Sequence, residues 1–298
     1  MKEKVYVAVV GAVNMDICGR PRKKLIFRDS NPGTVRLTPG GVGRNIAHDL
    51  RLLGEDVCFV TVFGDDQNGA ALRDSCTRLG MDLTCARTLP GVFTSSYLYI
   101  TDERGEMQLG LSDTDSSARI TPDFLAAHLD VLNGAAAVVA EGNLPAETLH
   151  WLGAHVTPPL FVDPVSAAKA ERLRGMLHQI HTFKPNITEA SELTGETEPE
   201  RIITALLGAG VQRVFLSMGS RGILAGEGAS RVHQPCLPTQ LVNTTGGGDA
   251  VMAALVWAYL HGRDLEQSTR CALQAGKCAV EFDGTNNPAL SAAVFLDT

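Results

Sequence analysis

Asn243-Thr244-Thr245-Gly246-Gly247-Gly248-Asp249 runs directly into AVMAALVWAYL, residues 250–260. Glycines free the backbone to turn several N–H groups toward one point, and the apolar stretch behind them reads as a helix. A helix N-terminus carries about half a positive charge, so Gly246, Gly247 and Gly248 with the helix start make an anion hole. Two readings of Asp249 stand open. It caps the free N–H groups of the helix, or it is a general base that takes a proton from a substrate hydroxyl while the amides neutralise a transferring phosphoryl group. The segment is not a Walker A loop, because no G-x-x-x-x-G-K-[ST] occurs. A dinucleotide fingerprint belongs after the first strand, where Gly11-Ala12-Val13-Asn14-Met15-Asp16 has no G-x-G-x-x-G.

Upstream of this segment, short apolar runs alternate with helical patterns. Val5–Val10, Val57–Phe63, Ala136–Ala140, Leu160–Val162 and Val214–Ser217 read as central strands. Helical patterns cover Asn45–Leu53, Gly69–Leu79, Pro122–Val131, Pro145–Leu152, Glu200–Leu207, Ala250–Leu260 and Leu265–Glu281. Such alternation predicts an α/β fold, a mostly parallel sheet with helices on both faces and a ligand beyond the carboxyl ends of its strands. Thr34–Leu37, Thr94–Thr101 and Glu106–Leu111 break the alternation, and Asp102–Gly105 reads as a hairpin turn. These segments predict a small β-sheet flap, with an edge extension of the main sheet as the alternative. No linker divides the chain. One domain over residues 1–298 is expected, with a lid formed by about 17–38 and 92–113.

Three more segments carry polar chemistry. Pro39-Gly40-Gly41-Val42-Gly43-Arg44-Asn45 opens a helix, and Asn45 can both donate and accept toward a polyol. Asn14 and Asp16 follow the first strand, where a carboxylate can accept two sugar hydroxyls; an Asx turn is the alternative. Lys184-Pro185-Asn186-Ile187-Thr188-Glu189 contains N-x-x-E at a helix start. That pattern is a cap or, through Glu189 and Asn186, a holder of hydrated Mg²⁺. Ser217-Met218-Gly219-Ser220-Arg221-Gly222 follows a strand and is a hairpin turn or a nucleotide rest. Arg44 and His48 are expected on a solvated helix face, with a phosphate contact open to Arg44, and Trp151 and Trp257 in the core. Phe93 and Tyr97 either pack the flap or stack on a base.

Composition narrows the field. Of 298 residues 44% are apolar and 20% charged, as in ordinary soluble globular proteins. Glycine, at 30 residues, exceeds the usual ~7%. A net charge of −7 argues against a nucleic-acid partner. The longest apolar run is too short for a membrane span, and MKEKVYVAVVG lacks the shape of a signal peptide. Seven cysteines without a C-x-x-C pair read as free thiols of a cytoplasmic protein.

In combination and order, these segments resemble the PfkB carbohydrate kinases, also called the ribokinase family. Gly40 through Ala47 is similar to the first family signature and Asn243 through Asp249 to the second, and the likeness covers essentially the whole chain. It implies a three-layer ribokinase-like fold with a lid, ATP and Mg²⁺ as cofactors, a small-molecule acceptor and a homodimer. By motif, it makes Asp249 the base, with Gly246, Gly247 and Gly248 as anion hole. Ribose falls to Asp16, Gly41 and Asn45, with Asn14, Gly40, Asn31, Ser96 and Asp113 around the substrate. ATP falls to Asn186, Ser217, Gly219, Gly222 and Thr244, and Mg²⁺ to Glu189 and Asn186, through water. K⁺ in this family sits beside the anion hole, here near Asn243 and Thr245, but position 243 carries Asn where many members carry Asp.

Six segments are similar to the pseudouridine-kinase branch: Ser30–Gly33, Thr38–Ala47, Thr94–Tyr97, Phe161–Ser166, Leu216–Gly219 and Thr285–Pro288. The branch implies phosphorylation of the 5′-hydroxyl of pseudouridine. Another nucleoside or a free sugar such as ribose is the alternative acceptor. A non-catalytic nucleoside sensor is the alternative class.

Overall fold

The structure, a computed structural model, describes residues 5–295. Strands form where β-branched and aromatic residues run together. They are β1 (Val7–Val10), β2 (Asn14–Pro21), β3 (Gly33–Gly40), β4 (Val57–Val60), β5 (Val62–Gly64), β6 (Arg87–Leu89), β7 (Ser96–Thr101), β8 (Met107–Asp113), β9 (Ala137–Glu141), β10 (Leu160–Asp163), β11 (Thr182–Phe183), β12 (Arg213–Ser217), β13 (Ile223–Glu227) and β14 (Ser230–Gln234). Helices are α1 (Val42–Leu52), α2 (Gln67–Arg78), α3 (Pro122–Ala126), α4 (Leu129–Asn133), α5 (Ala146–His155), α6 (Ala167–Ala170), α7 (Ile187–Thr194), α8 (Pro199–Gly208), α9 (Gly247–Leu260) and α10 (Leu265–Val280).

Eight strands form the main sheet in the order β14-β13-β12-β11-β10-β9-β1-β4. From β4 to β12 all neighbours are parallel, and β13 and β14 add an antiparallel edge. Parallel strands covered on both faces must be apolar throughout, and β1, β4 and β10 are buried at every residue. One core layer packs Leu125, Leu149 and Leu206 against the sheet, the other Ile46, Leu50 and Met252. Helix α9 is apolar all round and is buried from Asp249 to Ala258 between α1 and α10. No helix among the described residues is long and apolar enough to cross a membrane.

A second sheet has the order β3-β2-β7-β8. It is the expected flap, with one strand more than the alternation revealed. Asn14 and Asp16 belong to β2 rather than to a turn after β1, and β2 is central, antiparallel to β3 and parallel to β7. The hairpin joins β7 to β8, where Asp102 Oδ1 accepts from the N–H groups of Arg104 and Glu106 and Gly105 takes a positive φ of 93°.

Several sequence boundaries move. The run Val57–Phe63 is two strands, because Thr61 interrupts it and donates its hydroxyl to Gly11 O at 2.7 Å. Val62–Gly64 then pairs with β6 in a small sheet of its own. Pro122–Val131 divides into α3 and α4 at His128, whose φ of −123° leaves the helical range. Strands β11, β13 and β14 escaped the reading. The first has two residues, and the other two lie on the edge beyond the parallel pattern.

One close approach positions the site. A Cβ on Gly43 would stand 2.6 Å from Gly11 Cα, and one on Gly11 would stand 2.8 Å from Gly43 Cα. Gly41 holds a φ of 100° against Ala12 O, which no side chain tolerates. Only glycines let α1 begin against the end of β1. Gly43→Ala should therefore destabilise the fold by about 1–3 kcal/mol or more through overpacking, read as a lower urea midpoint at unchanged m value.

Candidate active site

Strands β1, β9, β10, β11 and β12 end on one side of the sheet, where α1, α7 and α9 begin. A cleft of about 940 Å³ opens there. Gly247, Gly248 and Asp249 line it. Gly246 caps α9 at a φ of 80°, and a Cβ there would meet Thr285 O. The first amides of α9 have no helix carbonyl to bind, and N–H groups so placed at a helix start can receive an anion.

Asp249 is the third residue of α9 and is not its cap. Its carboxylate accepts instead from Asn45 Nδ2, at 2.9 Å on Oδ2. Burial pushes its pKa up to about 7, and the nearby carboxylates of Asp163 and Glu141 add to the rise. The Asn45 hydrogen bond and the Lys184 ammonium oppose it. A carboxyl poised there exchanges a proton near neutral pH.

Lys184 follows β11, and its Nζ lies 3.0 Å from Asp163 Oδ2 with both side chains buried. Burial alone lowers an ammonium pKa. Here Asp163, Glu189 and Asp249 more than offset that, and the group stays charged. A Cβ on Gly248 would come within 3.2 Å of this ammonium, so the one buried cation of the cleft stands against the glycine run. Asp163 Oδ1 accepts from Val165 N–H at 2.8 Å, and Val165 takes a φ of 67°, a strained value for a β-branched residue. The sequence reading quoted Lys184 and Asp163 inside motifs without giving them a part. A lysine and an aspartate closing two apolar strands were the available signal.

The nucleotide candidates converge. Asn186, Ser217, Gly219, Gly222 and Thr244 all line the same cleft. Asn186 and Glu189 form a capping box at α7, Asn186 Oδ1 accepting from Glu189 N–H at 2.9 Å and Glu189 Oε2 from Asn186 N–H at 2.8 Å. Glu189 also lines the cleft, and its other oxygen accepts no hydrogen bond from the described residues. One carboxylate oxygen facing a wet cleft suits Mg²⁺, which keeps most of its waters. Asn243 and Thr245 bond to each other at the place where K⁺ was expected. Asn243 brings no charge, and its Oδ1 already accepts from Thr245 N–H at 3.0 Å.

On the sugar side, Asn14, Asp16, Gly40, Gly41 and Asn45 come together. Asn14 Nδ2 donates to Asp16 Oδ1 at 2.6 Å, and a Cβ on Gly40 would meet the Asp16 carboxylate. Burial raises the Asp16 pKa to about 6, while Asn14 and Arg44 pull it down. Ser96 and Asp113 lie elsewhere. Ser96 sits opposite Met15 and Asp113 opposite Ser96, so both project from the face of the flap away from Asp16. Period-two alternation makes that separation, and motif matching ignores it. Tyr97 and Tyr99 share the face of Asp16 and stack at 5.4 Å. Asn31 closes the lid loop on itself, bonded both ways to the Ile26 backbone. Phe93 is exposed, Trp257 is buried and Trp151 half-buried. Arg44 is buried, contrary to the solvated face expected of it, and burial lowers the pKa of half-buried His48 to about 4.

The raised pKa of Asp249 has a consequence for stability. Its neutral form favours the fold, so that contribution is complete below about pH 4 and is lost as pH rises through 7. Asp249→Asn should melt several degrees above the parent at pH 8, an effect of at most about 4 kcal/mol, and the gap should close toward pH 4. Calorimetry across that range checks it.

The description "pfkB family carbohydrate kinase" matches residues 4–292 of the chain. A pseudouridine kinase of Escherichia coli K12 is 39% identical over 98% of this chain and 96% of its own. A carbohydrate kinase from Agrobacterium tumefaciens superposes with a TM-score of 0.86 at 25% identity, covering 98% of this chain and 95% of that one. An Arabidopsis thaliana ribokinase, solved with ribose and ATP, shares the fold at a TM-score of 0.86 and 23% identity, over 99% and 98% of the two chains. The cleft at the carboxyl ends, the glycine run with its buried aspartate and the match along nearly the whole length agree: this chain belongs to the pfkB carbohydrate kinases and is an ATP-dependent phosphotransferase with an alcohol group as acceptor.

Proposed function

We propose that the enzyme transfers the γ-phosphoryl group of ATP to the 5′-hydroxyl of pseudouridine. The observation that carries the chemistry is the buried Asp249 carboxyl, set between the glycine amides of α9 and the Asn45 amide. The nucleoside lies under the flap, with ribose against Asp16, Gly41 and Asn45 and with Tyr97 and Tyr99 on the same face available to cover the base. ATP lies along Asn186, Ser217, Gly219, Gly222 and Thr244.

Asp249 takes the 5′-hydroxyl proton as that oxygen attacks the γ-phosphorus. The bond to the β-phosphate oxygen breaks, and ADP leaves with its electron pair. The amides of Gly247 and Gly248 and the Lys184 ammonium hold the equatorial oxygens of the moving group. Mg²⁺ supplies further charge neutralisation on the phosphates, and Glu189 holds it through water. Flap closure keeps water from the γ-phosphate. The pseudouridine reading draws on the likeness to the Escherichia coli pseudouridine kinase and on the motifs of that branch.

The flap supports a homodimer. Its second face carries Ile17, Val35, Leu37, Leu98, Ile100, Leu109 and Leu111 in two apolar rows, four of them exposed. An apolar sheet face of this kind calls for a covering partner, and a second copy presents a matching one. A cytoplasmic location fits the use of ATP and the scattered cysteines, Cys236 among them exposed as a thiol. Leu111→Glu should shift the sedimentation coefficient from dimer to monomer; a parent already monomeric at micromolar concentration rejects the dimer.

The decisive assay is ADP release with Mg-ATP over pseudouridine, uridine, adenosine and ribose. Turnover centred on pseudouridine is expected. A better acceptor elsewhere in the panel would discard the substrate and keep the chemistry. Asp249→Asn should lower kcat roughly 10²–10⁴-fold, and a loss under threefold would remove Asp249 as the base.

A further inference from the structure

The base at Asp249 is held by one side chain, Asn45, and an asparagine amide has two ends of nearly equal shape. Something must decide which end faces the carboxylate. Arg44 Nη1 donates to Asn45 Oδ1 at 3.2 Å. A guanidinium has donors only, so this end of the amide is oxygen and the NH₂ end meets Asp249 Oδ2. Arg44 in turn donates to Asn286 Oδ1 at 2.8 Å and, at 3.4 Å, to Pro39 O. The Asn286 amide is oriented as well, because its Nδ2 donates to Asn45 O at 3.1 Å and to Asp49 Oδ1 at 2.9 Å. The chain of contacts runs Asn286, Arg44, Asn45, Asp249, each link with a single permitted polarity.

Stability alone does not account for this arrangement. Arg44 is 5% exposed, makes no ion pair among the described residues and leaves Nε without a partner. Cys76, Asp49 and Asp16 favour its charge, Cys76 also through a hydrogen bond, without forming an ion pair with it. A buried charge without a direct counter-ion is costly to the fold. Nor is Asn286 needed for its own loop. The neighbouring Asn287 closes that turn, accepting from Ala289 N–H and donating to Cys278 O. Asn286 is therefore free to serve residues about 240 positions earlier.

We propose that Arg44 and Asn286 are positioning residues for phosphoryl transfer, locking the Asn45 amide so that its NH₂ group faces Asp249. With the lock removed, the amide turns over in part of the molecules. Asn45 Oδ1 then faces a carboxylate, two acceptors repel, and the base leaves its line to the acceptor hydroxyl. The proposal rests on Asp249 acting as the base, as argued above.

The test is steady-state kinetics on Asn286→Ala, Asn286→Asp, Arg44→Lys and Asp249→Asn, with a melting temperature for each. Asn286→Ala should lose on the order of 10- to 100-fold in kcat, the scale of a misplaced group, with KM for ATP within twofold. Asn286→Asp keeps an acceptor for Arg44 and should recover a large part of that loss. If Asn286→Ala does not fold, Arg44→Lys, which keeps the charge and loses the planar fork, should show the same fall in kcat at constant KM for ATP. Asn286→Ala and Arg44→Lys within twofold of the parent beside an inactive Asp249→Asn would overturn the proposal and leave the base in place. An active Asp249→Asn would instead remove the base itself.

Discussion

Backbone contact between Gly11 and Gly43 governs what stands at the carboxyl edge of the sheet. A helix normally keeps a side chain's width from a neighbouring strand. Without a Cβ on either residue, α1 starts against the end of β1, and Arg44 N–H bonds to Ala12 O at 3.1 Å. That seat brings Asn45 to Asp249 on α9, more than two hundred positions later. Glu141 holds the same turn from below, its Oε1 accepting from Ala12 N–H at 2.7 Å. Strand, turn and two helices are fixed by contacts that leave almost no lateral freedom.

Around that seat the protein concentrates buried carboxylates. Asp163, Glu141, Glu189 and Asp249 are all buried at the strand ends, and Lys184 is the buried lysine among them. Each ionised carboxylate there opposes the others, and Lys184 offsets part of that repulsion. Burial raises Glu141, Glu189 and Asp249 above the usual carboxylate range. Such a cluster weakens the fold, and titratable groups perturbed in this way gather at functional sites. The positive φ of Val165 beside Asp163 belongs to the same pattern of strain held near a ligand cleft.

The two faces of the flap differ in chemistry. Asp16, Tyr97 and Tyr99 share one face, and aliphatic residues fill the other. A strand exposes alternate residues to opposite sides, so a single sheet can present polar groups to a ligand and an apolar surface to a partner. This division is also why Ser96 and Asp113, which match motif positions, do not join Asp16.

Much of this was legible in the sequence because it is local. Apolar runs with helical patterns between them yield a parallel sheet, and a glycine run before an apolar stretch marks where a helix starts. That Asn186, Ser217, Gly219 and Gly222 gather at one cleft was legible because each sits at or close to the end of a strand. The central flap strand β2 was missed because Asn14-Met15-Asp16 carries the composition of a turn, and only pairing with β3 and β7 makes it a strand. The capping box of Asn186 and Glu189 was one of two open readings, and the structure contains it. Tertiary structure alone decided the rest: that Asp249 bonds to Asn45 and does not cap its helix, that Arg44 is buried, and that Lys184 stands against Gly248. Those facts depend on segments far apart in the chain meeting in a low-dielectric interior. There a side chain's partner is set by what the fold brings within 3 Å, and no residue pattern along the chain records that.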